Sequence, residues 1–248
     1  MKKINNTNYF SISEISKIFL TNNSEEEINS IFEEGKIEGR KIENEWYAEK
    51  KEIEGFINIF QNEKYYTVGP FEIDLTNSIM NGRILDIGGG GEAVIGQFKG
   101  EQVVIIDPIK KELEEAPDNE ALCILMDAKD LKFLEKTFDT VSAFFTMMYI
   151  PLSDHKKVFE EIYRVLKKNG EFFLWDAIIP KRNENKKQVF VIVLKIKING
   201  KKIGTGYGTK WNKEQSPKYF TELAKKVGFE LIEQSLESDL FLLKFKKV

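Results

Sequence analysis

The spacing of apolar positions changes along the chain, and the change divides it in two. Over residues 1–60 the spacing is helical. Ile15, Ile18 and Phe19 share one face of a helix that Ser11 or Ser13 can cap. Ile28, Ile31 and Phe32 share a face of a second helix, capped by Ser24 with Glu27 as the capping-box partner and stopped at Gly35. Thr21-Asn22-Asn23 between them reads as a turn. A short hairpin is expected over 36–48, with Trp46 and Tyr47 in its second strand. A third helix comes next, on Ile53, Phe56, Ile57 and Phe60. Residues 61–80 are aromatic and apolar rather than Gly/Ser-rich, which predicts a connector that packs against the second domain.

From residue 81 short apolar runs alternate with helical stretches. Residues 83–87, 103–106, 122–126, 140–145 and 172–175 read as strands, and Val158, Phe159, Ile162, Val165 and Leu166 mark a helix over 154–168. Alternation of this kind predicts an α/β fold with a doubly wound parallel sheet. Residues 219–227 read as a helix, and 229–232 with 240–245 as a closing antiparallel hairpin. Residues 181–215 break the order. Val189–Ile198 and the run 201–205 flank Asn199-Gly200, the signature of a two-residue hairpin turn. The domain plan is therefore 1–60, a connector 61–80, and 81–248 with a hairpin inserted at 181–215.

Charge narrows the function classes. With 37 basic and 40 acidic residues the chain is nearly balanced, which argues against nucleic-acid or membrane binding by the chain as a whole. The single cysteine, Cys123, excludes an internal disulfide and a Cys-cluster metal site, and the single histidine, His155, excludes a multi-His zinc site, so no metal is expected. No run approaches the length of a membrane span, and the opening MKKINNTNYF has no apolar stretch behind its lysines. A cytoplasmic location is the expectation. The segment 181–215 differs from the rest, with 10 basic residues against Glu184 and Glu214. Three roles suit it: a solvated arm, a dock for the acidic N-terminal domain within the chain or across a homodimer, or a surface for an anionic substrate or RNA.

The N-terminal order is carried by S-I-S-E-I-S-K-I-F, I-N-S-I-F-E-E-G-K-I and W-Y-A-E-K-K-E-I-E-G-F. Over about fifty residues it resembles the excisionase or MerR-like winged helix-turn-helix family. The resemblance implies a second helix that enters the DNA major groove. That helix here carries Glu25, Glu26, Glu27, Glu33 and Glu34 and no basic residue. Phosphate contacts need Lys or Arg, so DNA is not the expected partner. Protein interaction, dimerisation or covering of a substrate fits better.

The segment R-I-L-D-I-G-G-G-G-E-A, residues 83–93, ends a strand in Asp86 and turns into a helix through four glycines. Glycine lets backbone approach a ligand closely and take positive φ. Gly88, Gly90 and Ala93 satisfy the dinucleotide fingerprint, so NAD is one reading. Two further acids stand at strand ends. Asp107 comes 21 residues after Asp86, placed to accept from ribose hydroxyls, and Asp127 with Ala128 is placed to meet an adenine. Then come F-D-T-V-S-A-F-F-T-M-M-Y-I-P, the helix E-E-I-Y-R-V-L-K-K-N-G and the terminal hairpin. Together these are similar to class I S-adenosylmethionine-dependent methyltransferases, of the branch acting on small molecules. The resemblance implies a seven-stranded Rossmann-like sheet with an antiparallel last strand. It implies S-adenosylmethionine contacts from Asp86, Gly88, Gly89 and Gly90, from Asp107 and Pro108, from Asp127 and Ala128, and from Phe145, Thr146 and Tyr149. Glu92 departs from it, standing where the pattern has a third alternate glycine.

Methyl transfer is an in-line displacement that mainly requires alignment, with a general base only where the acceptor must lose a proton. His155 and Tyr149 are candidates for that task, with a partly buried helix-start residue and a pocket wall as their plainer readings. The Asp/Asn-Pro-Pro-aromatic motif of enzymes that methylate amino groups of DNA bases is absent. A small-molecule acceptor is what the resemblance to the small-molecule branch implies. A regulator that binds S-adenosylmethionine and acts through the N-terminal domain, or an RNA methyltransferase using the basic hairpin, are the alternatives.

Overall fold

Ser11 and Ser24 decide where the first two helices begin. In the computed structural model each accepts a hydrogen bond from the backbone three residues on, and Glu14 and Glu27 reach back to complete capping boxes. The structure describes residues 2–4, 7–20, 23–183 and 186–248, and the side chains of 58–63 lie outside that description. Thr21 and Asn22 of the expected turn and the Phe60 side chain thus fall outside the described residues. The chain forms two compact units, residues 1–65 and 66–248.

The first unit runs β1 (Lys2–Ile4), β2 (Thr7–Ser11), α1 (Ile12–Ile18), α2 (Glu25–Glu33), β3 (Arg40–Ile42), β4 (Glu45–Glu49) and α3 (Lys50–Lys64). Its antiparallel sheet has the order β1-β2-β4-β3. β1 and β2 were not legible as strands, because Lys-Lys-Ile and Thr-Asn-Tyr-Phe-Ser show no clear alternation; β2 is held by pairing with β4, far along the sequence. Ile12, Ile15, Ile28, Phe32, Ala48, Ile53 and Phe56 form the core. The five glutamates of the second helix and its end are exposed.

The second unit begins in β5 (Tyr65–Asp74) and contains β6 (Ile84–Ile87), α4 (Val94–Lys99), β7 (Val103–Asp107), α5 (Lys110–Glu115), β8 (Leu122–Leu125), β9 (Phe138–Phe144), α6 (Leu152–Val165) and β10 (Leu166–Ala177). It continues with β11 (Val189–Ile198), β12 (Lys201–Lys210), α7 (Pro217–Val227), β13 (Phe229–Glu237) and β14 (Leu240–Lys247). Seven strands form a sheet in the order β13-β14-β10-β9-β6-β7-β8. β10, β9, β6, β7 and β8 are parallel to one another, and β14 runs antiparallel to both β10 and β13. The chain leaves β6 in one direction through β7 and β8, then returns to β9 on the other side. This reversal opens a crevice at the carboxyl ends of β6 and β9, where ligands bind in sheets of this kind. Among the described residues no helix is long and apolar enough to cross a membrane.

Alternate residues of the central strands feed two cores. Leu85, Ile87, Val104, Ile106 and Val141 pack with α6 and α7 residues such as Phe159, Ile162 and Phe220. Ile84, Ile105, Phe144, Phe173 and Trp175 face the opposite way. There the cover is a three-stranded sheet, β12-β11-β5, rather than helices alone. Phe190, Ile192, Leu194, Ile196 and Ile198 of β11 are all fully buried in this second core.

Two readings change here. The inserted hairpin is not a solvated arm, because its alternate apolar face closes a core. Its second strand also runs five residues further than expected, to Lys210, in register with β11 throughout. Residues 61–80 are not a separate connector: they finish α3 and then supply β5, the strand that completes the small sheet. The turn itself forms at Asn199-Gly200 with both residues at positive φ.

Candidate active site

The glycine loop after β6 is pressed against its neighbours. The N–H groups of Gly88 and Gly89 donate to the Ile106 carbonyl at 2.8 and 3.3 Å, and the Gly91 N–H donates to the Glu112 carbonyl at 2.9 Å. Gly88 has φ +66°, and a Cβ there would collide with Thr146. At Gly89 a Cβ would collide with the Asp86 carboxylate, and at Gly90 it would stand 2.6 Å from Glu112 and 2.9 Å from Asp107. Bare backbone between two carboxylates is what a ligand needs to come this close.

All eleven residues singled out from the sequence line one cleft of about 500 Å³: Asp86, Gly88, Gly89 and Gly90; Asp107 and Pro108; Asp127 and Ala128; and Phe145, Thr146 and Tyr149. The volume falls within the roughly 300–1,000 Å³ of small-molecule sites. Asp86 is the next-to-last residue of β6, is buried, and accepts from the Ser142 hydroxyl at 2.7 Å. Asp107 ends β7, and its carboxylate accepts from the Ile109 N–H at 2.8 Å and from the Gly90 N–H. Asp127 lies two residues beyond β8 and accepts from the Lys129 N–H at 2.8 Å. Phe145 comes directly after β9 with φ +53°, a left-handed conformation that turns the chain into the loop carrying Thr146 and Tyr149. Thr146 donates to the Ile87 carbonyl at 2.8 Å, tying that loop to β6.

Burial sets the charge state of the floor. It pushes the Asp86 carboxyl up to about 7, aided by the nearby Asp107 charge and opposed by Ser142. Burial also raises Asp107, against the two backbone N–H groups that hold it down. A carboxyl raised in this way favours the fold while protonated. Its contribution is complete below about pH 4, is lost as pH rises toward 7, and is absent above. We expect Asp86→Asn to gain stability relative to the parent by about 2–4 kcal/mol between pH 5 and pH 8.5, at about 1.4 kcal/mol per tenfold change in proton affinity. Denaturant unfolding across that range checks it, and a pH-independent difference would refute the assignment.

Two contributors to the cleft, Glu112 and Lys129, were not read from the sequence. Glu112 enters from α5, and Lys129 bridges Asp154 at 3.0 Å along the rim. Neither has a local signal, since both depend on how loops meet. The inserted hairpin supplies a wall: Tyr207 of β12 stacks on Phe145 with centroids 5.3 Å apart and planes within 3°. The Tyr149 hydroxyl accepts from the Gly208 N–H at 3.1 Å. Burial pushes the Tyr149 phenol up to about 12, so it stays protonated. Trp211, just beyond β12, is core, donating to the Pro180 carbonyl at 2.7 Å.

His155 does not line the cleft. It is fully buried, and Nε2 lies 3.2 and 3.0 Å from the carbonyls of Met147 and Ile150. Two carbonyl partners require that Nε2 carry the proton, so Nδ1 accepts from the Tyr219 hydroxyl at 3.2 Å. Burial and the Lys213 charge lower its pKa to about 4. It is a neutral pin for the loop after β9. Lys213 holds the same Met147 carbonyl at 3.0 Å, Asp176 accepts the Met148 N–H at 3.1 Å, and Thr209 donates to the Met148 carbonyl at 3.1 Å. The site loop is thus fixed from α6, β10, β12 and the segment after β12.

Residues 85–174 match the model of a methyltransferase domain. This is an S-adenosylmethionine-dependent methyltransferase domain. S-Adenosylmethionine is its cofactor, and the residues present fit it: a glycine cradle free of Cβ atoms, three acids at successive strand ends and an aromatic wall. Among solved structures, the chain is similar to an S-adenosylmethionine-dependent methyltransferase of Methanosarcina mazei, at 16% identity over 69% of this chain and 95% of that one, with TM-score 0.50. It is also similar to a protein of Pyrococcus horikoshii, at 16% identity over 80% and 91% of the two chains, again with TM-score 0.50. At such identity the likeness concerns the fold, and it covers more of the chain than the methyltransferase match does. No curated protein matches the chain.

Proposed function

We propose that the methyltransferase acts on a small molecule, held between the loop after β9 and the inserted hairpin, by in-line displacement. The observation that carries this is the wall built by Tyr207 on Phe145 and closed by the Tyr149–Gly208 hydrogen bond. It narrows the cleft to the scale of a metabolite, where a polymer substrate would want an open surface.

S-Adenosylmethionine supplies an electrophilic methyl carbon when bound. In this reading Asp86 and the Gly88–Gly90 backbone hold its amino-acid end, Asp107 and Pro108 flank the ribose, and Asp127 and Ala128 meet the adenine. Phe145, Thr146 and Tyr149 then separate cofactor from acceptor and exclude water. Alignment is the main contribution, since a pinned loop fixes the angle of attack. His155 takes no proton from the acceptor, because both of its ring nitrogens are engaged in the core.

The N-terminal unit is read as a winged-helix derivative that has given up DNA. Its second helix exposes Glu25, Glu26 and Glu27 in the first turn and has no basic residue in the last. An acidic face repels phosphate.

Calorimetric titration tests the reading. Micromolar binding of S-adenosylmethionine and S-adenosylhomocysteine is expected, with no heat from NAD or from duplex DNA. NAD binding alone would overturn the cofactor reading, and DNA binding would restore the helix-turn-helix role.

A further inference from the structure

Glu92 occupies a place in the glycine loop where the motif has glycine, and its side chain explains the exception. It leaves the loop toward β12, where the Thr205 hydroxyl donates to its carboxylate and Tyr207 lines the cleft beside it. A neutral hydroxyl satisfies one oxygen and leaves the charge. Among the described residues no Lys or Arg forms an ion pair with Glu92, and Lys129 is the one basic residue lining the cleft. Lys129 is engaged by Asp154 at 3.0 Å and by Asp127 at 3.6 Å. Phe144, Phe145, Tyr149 and Tyr207 line the same cleft.

A carboxylate with no protein cation, beside aromatic rings in a partly desolvated cleft, is the donor set for an organic cation. Ring systems attract cations, and a charged pair gains from the lowered dielectric. A neutral acceptor would leave the Glu92 charge unpaired, and an anionic one would be repelled. Asp86, Asp107 and Asp127 stand at the strand ends assigned to the cofactor, whereas Glu92 faces the hairpin.

We propose that the methyl acceptor is an amine that arrives as its ammonium ion, bound by Glu92 together with Tyr149 and Tyr207. This rests on the methyltransferase reading. Before the transfer the ammonium gives one proton to bulk water at the mouth of the cleft, and the freed nitrogen lone pair then forms the new N–C bond. The S–C bond breaks with its electron pair left on sulfur, and the positive charge passes from sulfur to nitrogen. Glu92 therefore faces a cation before and after the step.

The test uses the full chain saturated with S-adenosylhomocysteine, titrated with benzylamine, 2-phenylethylamine and 4-phenylbutylamine and with the alcohols and carboxylic acids of the same skeletons. At least one amine is expected to bind about tenfold or more tighter than its alcohol, with the acid weaker still, as one paired charge and ring contact imply. Glu92→Gln is expected to remove that preference and leave S-adenosylmethionine affinity within about twofold, since the neutral amide keeps the size but not the charge. Tyr207→Phe, which keeps the ring, should retain the preference. Equal binding of amine and alcohol in every skeleton, or tighter binding of an acid, overturns the proposal. So does loss of S-adenosylmethionine affinity in Glu92→Gln, which would assign Glu92 to the cofactor. Failure of the parent to bind S-adenosylhomocysteine would instead refute the methyltransferase reading beneath it.

Discussion

Replacing Asp107 by alanine is expected to weaken S-adenosylmethionine binding by about 2–4 kcal/mol, or roughly 30- to 1,000-fold, as two hydrogen bonds to a charged acceptor are lost. Asp107 is the last residue of β7, held by the Ile109 N–H at 2.8 Å and by the Gly90 N–H. Those two bonds orient the carboxylate and leave acceptor sites for ligand hydroxyls. The substitution also frees the Gly90 N–H, so part of the loss will come from a looser glycine loop. Comparing unfolding of the free protein separates the parts: a drop of about 1–3 kcal/mol is expected there, from the loss of both internal hydrogen bonds at about 0.5–1.5 kcal/mol each. Asp107→Asn should fall between, because it keeps one acceptor oxygen. Unchanged affinity in a folded Asp107→Ala protein would remove Asp107 from the cofactor site.

Phe190→Ala is expected to cost about 3–5 kcal/mol of stability, the range for removing a buried phenylalanine. Phe190 is fully buried in β11, stacked near Tyr66 at 6.0 Å and edge-on to Trp211 at 6.1 Å. That is a large fraction of the roughly 5–15 kcal/mol that keeps a domain folded. Lys195→Ala, on the exposed face of the same strand, should change stability by no more than about 0.5 kcal/mol. Denaturant unfolding of both variants is the measurement. Near-equal small effects would mean that the hairpin is an appendage after all.

The parts of the fold that were legible share a cause. The central strands of the parallel sheet are buried on both faces, so they read as near-continuous apolar runs that carry an acid at or near their end, such as Ile84–Ile87 and Val103–Asp107. The helix cap at Ser11, the capping box at Ser24, the Asn199-Gly200 turn and the glycine loop are local chemistry, written within a few residues. The acids at strand ends came with those runs, which is why all the candidate residues met at one cleft. β1, β2 and β5 were missed because each exists through a pairing partner rather than through a pattern of its own. β5 pairs into a sheet with β11, more than a hundred residues away.

Taken alone, the sequence determined the alternating α/β plan, the glycine loop with its three acids and the acidic face of α2, since each depends on neighbouring residues or on a period. Only the tertiary structure decided what the basic hairpin does. Its lysines are visible in the chain, but the burial of Phe190, Ile192 and Leu194 depends on a surface contributed by β9 and β10. The same holds for Glu92, Tyr207 and His155. A side chain's role as cation site, wall or pin is set by what packs across from it, and that is a property of the folded chain.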